Sequence, residues 1–109
     1  MLIDFSKMEE TVLQNFYGGE QEMIANMHID AHNRILHGRL APGASIGMHA
    51  HETSSEIIYI LHGAGKALCD DSAEPLAPGL CHYCPKGHSH SIVNDGAEEL
   101  VFFAVVPQQ

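Results

Sequence analysis

A chain of 109 residues fits a single domain, because two separate cores would each be too small to be stable. The formal charge of -9, from 5 Lys and Arg against 14 Asp and Glu, argues against binding to nucleic acids or anionic membranes and leaves small molecules or proteins as partners. Apolar runs are far shorter than the roughly 20 residues that span a bilayer. Residues 1–7 lack the basic start and apolar stretch of a secretory signal, so we expect a cytoplasmic protein.

The first 30 residues have no clear periodicity and predict an N-terminal arm with the first short strands, packed on the rest of the domain or on a partner subunit. Within this part, residues 11–17 end at a Gly-Gly turn and predict a strand. From residue 31 to residue 109, short segments separated by Gly, Pro, Asp or Ser predict an all-β sandwich or barrel. The predicted strands are Asn33–Leu40, Ser45–His51, Glu56–His62, Gly65–Cys69, Cys81–Cys84, His90–Asn94 and Leu100–Val106.

The predicted strand at residues 56–62 is apolar on both faces. Alternation puts Glu56, Ile58 and Ile60 on one face and Ile57, Tyr59 and Leu61 on the other. If Glu56 points inward, the second face would expose an apolar surface to water. Such a surface usually marks an interface, which predicts a homodimer in which the sheets of two subunits pack face to face. The alternative is that the first 30 residues cover this face within one chain.

Three histidines and one glutamate are spaced for a single metal site. His49 and His51 are two residues apart, so a strand directs both imidazoles to the same side. Glu56 follows a polar turn and is predicted to return on the neighbouring antiparallel strand. His90 follows the turn that contains Pro85. Three nitrogens and one oxygen predict one divalent transition metal, with manganese, iron, cobalt or nickel favoured over zinc.

Fixed glycines, a proline and an asparagine flank these ligands in two spaced sets. The sets are Gly43-x5-His49-x-His51-x4-Glu56-x6-Gly63 and Gly79-x5-Pro85-x-Gly87-x2-His90-x3-Asn94. They match the two motifs of the cupin superfamily at every fixed position, so the chain resembles a small single-domain cupin from about residue 33 to its C-terminus. The resemblance implies a jelly-roll β-barrel with His49, His51, Glu56 and His90 as metal ligands. The surrounding residues are similar to those of small cupins labelled oxalate-decarboxylase-like.

The predicted pocket wall is mainly aliphatic. Alternation from the ligands gives Gly47, Ile58, Ile60 and Ile92 as inward neighbours. Arg34 is the only basic residue predicted on the wall, because its face of the strand is more apolar than the face with His37 and Arg39, which we expect to point outward. This shortage of cations weighs against oxalate as the ligand.

The sequence leaves the roles of other polar residues near the motifs undecided. His88 shares the parity of His90 and is a candidate catalytic base or proton shuttle, with an exposed turn residue as the alternative. Parity does not decide whether His82 lines the cavity or points outward. Cys81 and Cys84 lie three residues apart and point to opposite faces of a strand, which disfavours a second zinc site.

The pattern favours a metal-dependent enzyme acting on a small oxygen-rich molecule, namely a carboxylate, an enol or a sugar derivative. Decarboxylation, dioxygenation and isomerisation are the reactions that a metal with open coordination positions assists. The alternative is a non-catalytic, metal-dependent binding module for a small molecule.

Overall fold

The computed structural model describes all 109 residues and contains ten strands and two single-turn 3-10 segments. The 3-10 segments are Phe5–Lys7 and Phe16–Gly18. The strands are β1 Thr11–Gln14, β2 Glu22–Ile29, β3 Asn33–Leu40, β4 Ser45–Ala50, β5 Glu56–His62, β6 Gly65–Cys69, β7 Ser72–Leu76, β8 Cys81–Cys84, β9 Ser89–Val93 and β10 Leu100–Pro107. The structure contains no helix with the length and hydrophobicity that a membrane span requires.

The strands form two antiparallel sheets that face each other. The six-stranded sheet has the order β1-β2-β3-β10-β5-β8, and the four-stranded sheet has the order β4-β9-β6-β7. Each sheet also pairs strands from distant parts of the chain, such as β3 with β10 and β4 with β9. This is a jelly-roll barrel with a short N-terminal arm, which confirms the predicted fold class.

Inward-facing residues alternate along the strands and form the core. In β5 the buried residues are Glu56, Ile58 and Ile60, as the alternation predicts. In β10 the residues from Leu100 to Val106 alternate in the same way, and Phe102 is among the largest fully buried side chains. The core cluster joins both sheets, because it contains Ile46 and Ile92 of one sheet and Ile58 of the other.

The sequence located most strands correctly, and β3, β5, β6 and β8 have the predicted ends. It missed β7, whose residues are exposed except for Leu76, so that no alternation marks it. One pairing prediction was wrong: β5 is not hydrogen-bonded to β4 but belongs to the other sheet. Glu56 therefore approaches His49 and His51 across the barrel interior.

An irregularity in β4 changes which residues face inward. The register between β4 and β9 shifts between Ile46 and His49, so β4 has one residue more than its partner there. Ile46 is buried and His49 reaches the interior, although they are three residues apart. The expectation that Gly47 lines the pocket was therefore wrong, because a bulge breaks the alternation on which it rested.

The N-terminal part covers only some of the outer face of the six-stranded sheet. β2 pairs with β3, and Phe5 packs against His37 of β3 and Phe103 of β10. The neighbouring part of that face stays exposed. We call it the outer patch, which consists of Ile57, Tyr59, Leu61 and Tyr83.

Candidate metal centre

Four side chains from three strands and one loop converge inside the barrel. His49 lies on β4, His51 follows β4, Glu56 begins β5 and His90 lies on β9. One ligand atom from each residue lies within 4.8 Å of the others. The Nε2 atom of His90 is 3.0 Å from Nε2 of His51, 3.1 Å from Nε2 of His49 and 2.9 Å from Oε1 of Glu56. The structure thus brings together all four predicted ligand residues.

The second ring nitrogen of each histidine is held by another group. Nδ1 of His49 donates to the carbonyl of Gly47 at 2.8 Å, since a carbonyl oxygen only accepts. Nδ1 of His51 is 2.9 Å from Oγ of Ser54, and Nδ1 of His90 is 2.9 Å from Nε2 of His82. With the Nδ1 atoms engaged, all three Nε2 atoms are directed towards one point.

Burial and charge favour the protonation states that a metal needs. Burial by itself raises the pKa of the Glu56 carboxyl, but the three facing imidazoles outweigh it and hold this pKa well below 4.5. Burial lowers the pKa of His90 from 6.5, and the carboxylate of Glu56 offsets only part of this effect. A carboxylate and a neutral imidazole are the forms that bind a metal ion.

The donor set fits a cation. A neutral imidazole that donates through Nδ1 has only a lone pair at Nε2, and lone pairs about 3 Å apart repel each other unless a positive charge, carried by a proton or a metal ion, lies between them. Two atoms bound at a right angle to an ion about 2.1 Å away would lie about 3.0 Å apart. The separations that involve His90 agree with this value, whereas Nε2 of His49 and Oε1 of Glu56 lie farther apart, at 3.9 Å. The buried cluster fits a metal site.

A cavity of about 360 Å³ opens beside the cluster. Its lining includes His49, His51 and Glu56 together with Arg34 of β3. Arg34 thus faces the cavity as the strand pattern predicts, and it forms no ion pair within the chain. Ile58, Ile60 and Ile92 lie elsewhere: they are fully buried in the core and do not line this cavity.

Tyr17 is a cavity residue that the sequence did not reveal. Its ring stacks on His49, with 4.0 Å between ring centroids and 11° between ring planes. A Cβ atom on Gly47 would overlap the backbone carbonyl of Tyr17, so a glycine is required where the Phe16–Gly18 turn meets β4. No periodic pattern marks Tyr17, because its position depends on this contact between distant segments.

The structure decides between the roles that the sequence left open for two histidines of the second motif. His88, the candidate base, is exposed and pairs with Asp70, with 2.9 Å between Nδ1 and Oδ2. It therefore lies outside the metal centre, in agreement with the alternative that His88 is an exposed turn residue. His82, left open by the sequence, is buried and contacts His90 directly.

Other motif residues have structural roles. Asn94 is fully buried, and its amide donates to the carbonyls of Leu40 and Glu98. Gly63 has φ +84 and its missing side chain leaves room for the backbone of Glu99. These residues fix the loops around the barrel, which explains their place in the motifs without contact to the centre.

A jelly-roll barrel with an internal cluster of three histidines and one glutamate defines the class of protein. The family described as Cupin domain matches residues 36–106, and the chain belongs to this family. The chain is also 35% identical, over 112 residues, to a Thermotoga maritima protein named oxalate-binding protein; the match covers 97% of this chain and 93% of that protein.

Solved structures agree with the fold. A crystal structure from Thermotoga maritima, described as a predicted oxalate decarboxylase, matches with a TM-score of 0.93 and 30% identity over the full length of both chains. A polyketide cyclase from Streptomyces resistomycificus matches with a TM-score of 0.82 and 21% identity, covering 100% of this chain and 80% of the other. The latter likeness concerns the fold alone.

Proposed function

We propose that this protein is a metal-dependent cupin that binds a small oxygen-rich carboxylate in the cavity beside His49, His51, Glu56 and His90. The observation that carries the proposal is the convergence of these four donor atoms next to a cavity that also contains Arg34. A divalent ion bound there would supply Lewis-acid attraction for carboxylate oxygens. Manganese, iron, cobalt or nickel suits the donor set better than zinc.

Arg34 is the proposed partner of the ligand's negative charge. Its guanidinium presents several N–H donors that match a carboxylate, and no acidic side chain of the chain occupies it. Oxalate is the first ligand to test, because a relative with 35% identity is named oxalate-binding protein. Arg34 is the only Lys or Arg that lines the cavity, as the sequence predicts, so a bound metal ion would have to hold the rest of the charge of a dianion such as oxalate.

The test measures the binding of oxalate to the manganese-loaded protein by titration calorimetry. We expect saturable binding that Arg34→Ala weakens by about tenfold or more, as for a lost charge-assisted contact. Arg39→Ala is the matched control, since Arg39 lies outside the cavity and pairs with Glu10 and Glu99. Equal oxalate binding with and without metal, or none with metal, would contradict the proposal.

Decarboxylation is the second candidate function, supported by the likeness to the predicted oxalate decarboxylase at 30% identity. His88, the candidate catalytic base, lies at the surface and not in the cavity. The cavity residues therefore support ligand binding more strongly than catalysis. Incubation of metal-loaded protein with oxalate separates the two. Formate and carbon dioxide in equal amounts would establish the enzyme, whereas oxalate recovered intact would leave binding as the function.

We further propose a cytoplasmic homodimer joined through the outer patch. The patch residues Ile57 and Tyr83 face each other on paired strands, and Tyr59 and Leu61 extend the same apolar surface. Phe5 covers the adjoining region but not the patch. Three free thiols agree with a reducing compartment.

Light scattering tests the dimer. We expect twice the chain mass at micromolar concentration, and the mass of one chain for Tyr59→Arg, because a charge would be buried in the apolar contact. A wild-type protein that has the mass of one chain would refute the dimer.

A further inference from the structure

A buried histidine connects the candidate metal centre to the protein surface. The side chain of His82 on β8 is 0% exposed and lies between His90 and Glu74. Its Nε2 is 2.9 Å from Nδ1 of His90, and its Nδ1 is 2.7 Å from Oε1 of Glu74. Glu74 lies on the edge strand β7 and is half exposed. The chain of contacts therefore runs from His90 through the barrel wall to solvent.

The chemistry of these groups sets the direction of each hydrogen bond. An ionised carboxylate only accepts, so Nδ1 of His82 donates to Glu74. In neutral His82 the other nitrogen, Nε2, then has a lone pair and accepts from Nδ1–H of His90. His90 is left with a free lone pair at Nε2, the atom that faces Glu56 and the other histidines.

We propose that His82 and Glu74 are positioning residues that fix the tautomer and orientation of His90 and thereby raise the metal affinity of the centre. This inference rests on the proposed function, since His90 must bind a metal. A hydrogen-bond acceptor behind a ligating imidazole orients the ring and raises its basicity. Here a second histidine and its carboxylate supply that acceptor.

The neighbouring positions support a specific role for His82. It occupies an inward position of β8, as does Cys84, where an apolar side chain would need no hydrogen bonds. Its two ring nitrogens instead have one partner each, and the His82 and His90 rings are inclined by only 20°. A buried imidazole at this position therefore has a hydrogen-bond partner for each ring nitrogen only because one of them contacts His90.

A purely structural role is the competing explanation, because the contact between His82 and Glu74 joins the edge strands of the two sheets. The two roles differ in what His82→Gln does. A glutamine amide accepts through its oxygen and donates through its nitrogen. It is able to replace the contact to His90, whereas His82→Leu removes it.

The experiment measures Co²⁺ binding by competition with a chelator and records the visible absorption spectrum of the Co²⁺ centre. We expect His82→Leu to weaken Co²⁺ binding by about 10- to 100-fold, because the loss of a hydrogen-bond partner behind a metal-ligating side chain typically costs that much affinity. The spectrum should also change, because the orientation of His90 is no longer fixed. His82→Gln should recover most of the affinity. Glu74→Ala should weaken binding less than His82→Leu, because His82 remains as an acceptor.

His62 and Glu98 provide the matched control. They form the same kind of pair, with 3.3 Å between Nε2 and Oε2, but their side chains are 57% and 71% exposed and have no contact with the centre. Glu98→Ala should leave the Co²⁺ affinity and the spectrum unchanged. Melting curves of the metal-free variants show whether each is folded before metal is added.

Wild-type affinity and spectrum in folded His82→Leu would overturn the positioning role while leaving the metal site intact. If His82→Leu does not fold, Glu74→Ala decides: affinity equal to that of Glu98→Ala overturns the proposal, and weaker binding with an altered spectrum supports it. Failure of the wild-type protein to bind Co²⁺ would instead overturn the proposed function, and this inference with it.

Discussion

On the inner side of the barrel, Nε2 of His51 lies 3.1 Å from Oε1 of Glu56, and on the outer surface Nε2 of His62 lies 3.3 Å from Oε2 of Glu98. The two pairs are alike in chemistry and in distance. They differ in surroundings, because the inner pair is nearly buried and two further imidazoles face it. The outer pair is mostly exposed, so water screens its charges. Convergence and burial, rather than the pair itself, create the candidate centre.

The largest contrast should appear when one histidine of each pair is removed. His51→Ala is expected to weaken metal binding by more than about 100-fold, because it removes a donor atom from the set. His62→Ala should leave metal binding unchanged. Metal analysis after dialysis against a defined free-ion concentration measures both variants. Stoichiometric metal at normal affinity in His51→Ala would refute the assignment of the ligands.

Acidification should act on the inner side of the barrel, where Glu56 and His90 lie. The lowered pKa values of His90 and Glu56 mean that the unfolded chain binds more protons than the folded one below pH 6.5 and pH 4.5 respectively. The free energy of unfolding should therefore be greatest above about pH 6.5 and should decrease as the pH is lowered.

Metal links this pH dependence to the centre. Bound metal should raise the melting temperature near neutral pH, and the increase should disappear on acidification as the ligands take up protons. Melting curves with and without Mn²⁺ across the pH range measure the effect. Identical curves for the two forms at neutral pH would contradict the model of a metal centre.

Gly47→Ala tests the contact that brings Tyr17 over the centre. The added Cβ would overlap the carbonyl of Tyr17, so the Phe16–Gly18 turn must move. We expect a loss of about 1–3 kcal/mol in the free energy of unfolding, as for overpacking. Gly79→Ala is the contrasting variant, since Gly79 has φ +90 but nothing near its missing side chain, whereas Gly47 is crowded and has no positive φ. A loss in Gly79→Ala therefore comes from backbone strain and a loss in Gly47→Ala from the overlap, and unchanged stability of Gly47→Ala would contradict the contact with Tyr17.

The smallest effect concerns thiol reactivity on the two faces of β8. Burial raises the pKa of the Cys84 thiol to about 12, so it stays protonated and unreactive at neutral pH. Burial also raises the pKa of Cys69, whereas Cys81 is exposed. Labelling with iodoacetamide should modify at most one thiol per folded chain, namely Cys81, and all three after unfolding. Rapid labelling of Cys84 in the folded protein would contradict the inward position.

Local pattern was sufficient for part of the structure. Alternation in residues 56–62 gave the correct ends and inner face of β5, and the spacing around His49 and His90 selected the four residues that converge. Local pattern failed where the chain departs from alternation or lacks it. The bulge in β4 turned Gly47 away from its expected place, and the exposed strand β7 had no signal.

The sequence by itself determined the all-β class, the cupin motifs and the set of candidate ligands, because these depend on residue types at short spacings. Tertiary structure alone decided that Glu56 crosses from the other sheet, that Tyr17 stacks on His49 and that His82 rather than His88 contacts His90. The reason is physical: alternation tells which residues share a face of one strand, but only the packing of distant strands decides what that face meets.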